Sequence, residues 1–179
     1  YLSLVFFNMA KIYQDDLTNE KNYLNALKYY ENSFNLGFTI SANYIGEYYY
    51  KGYGVKKNID KAIFWLLKDK TSTSLEMLGK IYEYEIKDYQ KSFEYYLASA
   101  ETNYSNGSNN VARFYRDGIY VDRDYEKAAY WYAKTAEQGL AEGAYEIAKL
   151  HNKKLLKDSS ADQENYWLDM AYQIDGDES

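Results

Sequence analysis

Aligned against itself, the chain repeats. Tyr29, Trp65, Tyr95, Trp131 and Trp167 stand at spacings of 36, 30, 36 and 36 residues. Three residues before each come Ala26, Ala62, Ser92, Ala128 and Glu164, small in four of the five cases. Seven residues before each come Asn22, Asn58, Asp88, Asp124 and Ser160. All five carry a side-chain oxygen that can accept a hydrogen bond from the free amides at the start of a helix. A period of this length confines the chain to stacked arrays, in which each unit buries its apolar face only against its neighbours.

A second set of columns lies upstream. Met9, Ile45, Leu78, Val111 and Ile147 are each followed at once by Ala10, Gly46, Gly79, Ala112 or Ala148. Four residues earlier stand Val5, Ser41, Ser74, Gly107 and Gly143, and four later Tyr13, Tyr49, Tyr82, Tyr115 and His151. Ile12, Tyr48, Ile81, Phe114 and Leu150 fill the position three later. Offsets of three and four mark one face of an α-helix. Small side chains on that face let a second helix approach closely, and the larger ones fill the space beside it.

Each unit therefore reads as helix, turn, helix. The spacing predicts helix pairs over 2–14 with 22–36, 39–51 with 58–70, 73–85 with 88–102, 106–117 with 124–138, and 141–153 with 160–174. The expected fold is all-α: a right-handed α/α superhelical solenoid of about five units in a single repeat domain over 1–179. The units run approximately 1–37, 38–72, 73–104, 105–140 and 141–175. The third unit is shorter, with EYEIKDYQ where the second has YKGYGVKKNID. The helix columns survive that loss, so the glycine loop is dispensable to the repeat.

Composition agrees. Of 179 residues 46% are hydrophobic, with 24 Tyr, no Pro and no Cys. Without proline the turns depend on Gly, Asn and Asp, and without cysteine there is neither a disulfide framework nor a thiolate metal site. A formal charge of −6 and the lack of a basic tract argue against nucleic acid as a partner. No apolar run is long enough to span a membrane. The opening YLSLVFFNM lacks the basic flank of a signal peptide and does not begin with Met. A piece of a longer protein is the expectation, with Val5, Phe6 and Phe7 offering apolar surface for a preceding repeat or for self-association.

The segment Tyr115–Leu150, YRDGIYVDRDYEKAAYWYAKTAEQGLAEGAYEIAKL, resembles a Sel1-like repeat, as does YIGEYYYKGYGVKKNIDKAIFWLLK in the second unit. The shared pattern is an apolar residue with Gly, a Tyr, a G-x-G-V-type loop, Asp, Lys-Ala, Trp and Ala-Glu-Gln-Gly. Units two and four match it best and unit five least. The resemblance implies a relative of tetratricopeptide arrays that acts as a protein-interaction adaptor. Bacterial members of the family are often exported or envelope-associated, and some act in contact with host cells, in polysaccharide export or on membrane complexes. It thus implies a bacterial envelope, secreted or virulence-associated setting, with an envelope protein bound to carbohydrate or peptidoglycan, or a regulator of a membrane complex, as the alternative. The chain departs from the disulfide-bearing branch of the family, having no Cys.

No catalytic constellation accompanies the repeat. His151, the one histidine, occupies a column otherwise held by tyrosine and reads as a core or boundary residue. The acidic groups at Asp122–Asp124 read as a turn and helix cap, and those at Asp175–Glu178 as a solvated tail. The lone GxG at Gly52 and Gly54 follows a helix rather than a strand, so it reads as a helix end and not a phosphate loop. The expectation is a non-enzyme without cofactor or metal. A partner segment would lie on the first helices of the units, lining the concave groove of the solenoid. Lys11, Tyr50, Lys80, Arg113, Arg116, Tyr145 and Lys149 are the residues expected to form that groove, the cations taking acidic groups and the tyrosines supplying contact area. An ordinary solvated helix face stands beside this as the plainer reading.

Overall fold

The computed structural model describes residues 1–15 and 20–177. Among them the regular structure is entirely helical: α1 (Leu2–Asp15), α2 (Glu20–Asn35), α3 (Ser41–Lys51), α4 (Ile59–Asp69), α5 (Ser72–Lys80), α6 (Tyr89–Ala100), α7 (Ser105–Asp117), α8 (Tyr125–Glu137), α9 (Ala141–Asn152) and α10 (Ala161–Asp177). The chain is an all-α repeat solenoid. It divides into two compact units, Tyr1–Ile86 and Lys87–Ser179. Within each, every helix packs against the helices next to it in sequence.

Capping residues set the helix starts. Asn58, Asp88 and Asp124 accept from the amides of Lys61, Lys91 and Lys127 at 2.9, 3.0 and 3.0 Å, and Ser160 accepts from Gln163 N at 3.2 Å. The amide of Lys127 is the first cause holding the Asp124 carboxyl below its ordinary range. Gly52 and Gly118 end α3 and α7 in the left-handed conformation, at φ 79° and 69°. The loops that follow close alike: Asn58 N donates to Tyr49 O and Asp124 N to Tyr115 O, at 2.8 and 2.9 Å. Val55 and Val121 pack against the cores beneath these turns.

Three local expectations need correction. Asn22 is not a cap, because α2 is already helical from Glu20. The stretch expected as helix 73–85 is α5 followed by a π-helical segment, Ile81–Ile86. Lacking the glycine loop, this connection widens the last turns and places Lys87 at φ 66°, where the second and fourth repeats use Gly. The acidic end is not a loose tail up to Asp177, since α10 continues through it; Glu178 lies outside the described residues.

The core also sits one residue away from the aromatic register. Tyr29, Trp65, Tyr95, Trp131 and Trp167 are only half-buried. The next position carries the burial: Tyr30, Leu66 and Tyr96 at 0% exposure and Tyr132 at 1%. A helix face turns about 100° per residue, so the indoles flank the seam while their neighbours point into it.

Helix spacing is set by small residues. A Cβ on Gly143 would lie 2.3 Å from Tyr132 O and 2.8 Å from Ala136 N of α8. One on Gly107 would lie 2.6 Å from Ala100 N, at the end of α6. At Gly46 the obstruction is the Leu66 side chain of α4, with Cγ at 2.7 Å. The first helices of the fourth and fifth repeats thus meet the preceding helix backbone to backbone, a contact no larger residue permits at Gly107 and Gly143. Gly143→Ala should therefore lower unfolding stability by about 2–3 kcal/mol, measured by urea denaturation. Gly139→Ala, with nothing within 4 Å of its added Cβ, serves as the open-space control for the steric part of the effect, although its φ of 85° carries its own conformational cost.

Candidate functional site

The expected binding residues fall into two sets, one in each compact unit. In the first unit each is engaged separately. The Lys11 ammonium lies over the Tyr44 ring at 4.2 Å. Tyr50 receives the ammonium groups of Lys51 and Lys57, both 5.3 Å from its ring, and Lys57 also pairs with Glu85 at 2.8 Å. That hydrogen bond to Glu85 is the main reason the Lys57 ammonium titrates above its ordinary range. Lys80 pairs with Glu76 one helical turn earlier at 2.5 Å, the carboxylate being largely buried.

In the second unit, α7 and α9 bring three of the four residues together. Arg116 forms a fork on Asp117, with Nε to Oδ1 at 2.8 Å and Nη2 to Oδ2 at 2.9 Å. Its Nη1 donates to Glu146 Oε2 at 2.8 Å and to Tyr132 Oη at 3.0 Å. Lys149 donates to the other oxygen of Glu146 at 2.5 Å. Glu146 is thus a shared acceptor between two cations, and Arg116 ties α7 to α8 and α9. Lys149 in turn shares a small cleft of about 220 Å³ with Tyr145 and Leu168. Arg113 turns another way, donating to Asn110 at 3.4 Å and lying over the Phe114 ring at 5.2 Å.

Charge and burial follow from this network. The Arg116 fork holds the Asp117 carboxyl below its usual range, and the same hydrogen bonds raise the guanidinium's already high pKa. Burial raises the Tyr132 phenol. Around the network opens a cleft of about 440 Å³, lined among others by Arg116, Arg123, Lys149 and Lys153 with Asp117 and Glu146. Four cations against two carboxylates leave it basic although the protein as a whole is acidic.

The sequence columns did not reveal this pairing. Glu146 follows Arg116 by 30 residues, in the next repeat, and belongs to no column singled out for function. One internal signal existed. Tyr30 donates to Gln14, at the same separation as Tyr132 from Arg116, so the pair recurs in the first repeat. In the first and fourth repeats the position after the aromatic register therefore supplies a buried phenol to the last turn of the preceding helix. Among the described residues no helix is long and apolar enough to cross a membrane, and no group of three His, Cys, Asp or Glu could hold a metal ion.

The family model described as Sel1 repeat matches four stretches of the chain, 7–38, 39–68, 72–104 and 105–140. A crystal structure of a Sel1 repeat protein from Oxalobacter formigenes superposes with a TM-score of 0.83 at 21% identity, over 96% of this chain and 72% of that one. The structure of c5321, titled a protective antigen present in uropathogenic Escherichia coli strains and displaying an SLR fold, gives 0.80 at 28% identity. That match covers 94% of this chain but 38% of the antigen, so the chain spans well under half of it. No curated protein sequence matches. The matched stretches stop at residue 140, although α9 and α10 pack together as a fifth helix pair.

Replacing Arg116 by Gln should remove the fork and the bond to Glu146, at a cost of about 1.5–3 kcal/mol in unfolding stability. A depressed folded-state pKa means that the stability contributed by Asp117 is present above its unfolded value. It is lost as pH falls through the lower folded value. NMR titration should place the Asp117 midpoint below its ordinary value in the parent protein, and Arg116→Gln should move it upward.

Proposed function

The chain belongs to the Sel1 repeat family, and from that premise we propose that it is a non-enzymatic scaffold that grips an acidic segment of a protein partner on its α7–α9 surface. Sel1 repeats mediate protein–protein interactions; the partner's chemistry and the place of binding are the proposed part. The observation that carries the proposal is the basic cleft around Arg116. Asp117, Glu146 and Tyr132 hold the guanidinium in place, so little side-chain entropy is lost when a carboxylate arrives. Lys149, paired with Glu146, and Lys153 are exposed on the same cleft and supply further positive charge, while the half-buried Tyr145 adds aromatic area next to Lys149.

The remaining residues of the expected surface take different parts. Arg113, lying over Phe114, extends the basic face of α7. In the first compact unit Lys11, Tyr50 and Lys80 are sites of secondary contact, each offering a charge or ring already held by its own neighbour. An exported or envelope-associated bacterial setting goes with this reading, and the likeness to the antigen supports it.

Selection of random peptides of about a dozen residues displayed on phage tests the proposal. Enrichment of Asp- and Glu-rich sequences is expected, with binding weakened about tenfold or more by the double change Lys149→Glu and Lys153→Glu and helicity unaltered by circular dichroism. Selection of neutral or basic sequences, or binding indifferent to the double change, would overturn it.

A further inference from the structure

The fifth repeat differs from the second and fourth at two coupled positions. In the second, the Lys61 ammonium lies 5.0 Å from the centre of the Tyr49 ring. In the fourth, Lys127 stands over Tyr115 at 5.2 Å. Each lysine lies four residues before the register tryptophan, and each tyrosine four residues after the apolar column. The corresponding residues of the fifth repeat are Gln163 and His151. Both members of the internal cation–ring pair are therefore missing there.

The vacated place is open space. A cavity of about 430 Å³ is bounded by α8, α9, α10 and the loop between the last two, with His151, Gln163 and Trp167 among its walls. Its floor is apolar, from Ile147 and Leu156, both buried. His151 is 8% exposed, and its Nδ1 has no hydrogen-bond partner among the described residues. At the rim stand the exposed ring of Tyr130 and two carboxylates, Glu126 and Asp158. Glu126 is fixed by accepting from Lys157 N at 2.9 Å. No lysine or arginine lines the cavity.

We propose that this cavity of the fifth repeat is a binding site for an arginine or lysine side chain of a protein partner. The partner's cation replaces the ammonium that the second and fourth repeats supply from within. Trp167 offers a ring to the charge beside Tyr130, whose own ring already carries the Lys134 ammonium at 5.2 Å; Glu126 and Asp158 offer carboxylate acceptors at the rim, and the floor accommodates the methylene stem. The inference rests on the scaffold reading for the class of partner. The site is separate from the basic cleft and opposite to it in charge, so one partner carrying both acidic and basic groups could engage the two.

The single histidine makes the test direct. The His151 ring carbon–proton signal and the Trp167 indole signal, the latter assigned through Trp167→Phe, report on the cavity without a full assignment. The probes are acetyl-Ala-Arg-Ala-amide and its Lys counterpart, with acetyl-Ala-Gln-Ala-amide and N-acetylglucosamine as controls. The Arg and Lys peptides should shift both signals saturably, with a dissociation constant on the order of millimolar for one anchored side chain. Glu126→Gln with Asp158→Asn should weaken binding about tenfold. His151→Tyr with Gln163→Lys, which refills the space from within, should abolish it. Should the refilled variant not fold, the charge-neutral pair decides. No saturable shift, equal shifts with the Gln peptide, or saturation by N-acetylglucosamine alone would overturn the proposal, as would persistence of binding in a folded refilled variant. Lys149→Glu with Lys153→Glu should leave these shifts unchanged, so failure of the basic cleft and failure of this site are read separately.

Discussion

Backbone-to-backbone contact between consecutive helices governs this molecule. At Gly143 and Gly107 a single added carbon would collide with the main chain of the helix before it. At Gly46 it would collide with Leu66. Close approach brings the helices within reach of dispersion forces over their whole length. Between those points of contact the seam takes large side chains, and there the phenols of Tyr30, Tyr96 and Tyr132 are buried. The small-residue columns and the tyrosine richness of the chain are thus one constraint seen twice.

Buried phenols create a second requirement, because a hydroxyl removed from water needs a partner. Tyr30 meets it with Gln14, and Tyr132 with Arg116. In the fourth repeat that structural duty falls to a guanidinium, whose remaining donors reach out to Asp117 and to Glu146 of the next repeat. The basic cleft around Arg116 therefore grows out of core packing. A phenol that needs a donor has placed a cation at the surface of α7.

Helix pairs, caps and the all-α solenoid were legible in the sequence because each follows from a short-range rule repeated in register. The cap at Asn58, the left-handed glycine at Gly52 and the buried Ala62 recur at fixed offsets, and recurrence separates signal from coincidence. What was not legible had no such repetition. The π-helical segment at Ile81–Ile86 arises in the one repeat whose internal connection is shortened, where no sister loop exists for comparison. The burial of Tyr132 beyond that of Trp131 depends on the angle at which helices meet, and both residues are large and aromatic. The partner of Arg116 lies a whole repeat away, and charge patterning along one helix cannot see it.

Repetition also tells where function has room to arise. A column held by the same residue type in every repeat serves packing, and changing it costs stability in each copy. A column that breaks in one repeat, without loss of the helices around it, has been released from that duty. His151 breaks a column held by tyrosine in the other four repeats, and Gln163 one held by lysine in the second, third and fourth; they fall together in space although twelve residues apart, in a repeat whose helices still pack. Two independent releases facing one cavity are harder to attribute to drift than either alone. Relaxation of packing by itself would favour collapse of Leu156 or Trp167 over the apolar floor of the gap, removing that surface from water. The space is instead rimmed by a Glu126 carboxylate that the Lys157 amide already orients. Such an arrangement suits a charged visitor better than a filled core.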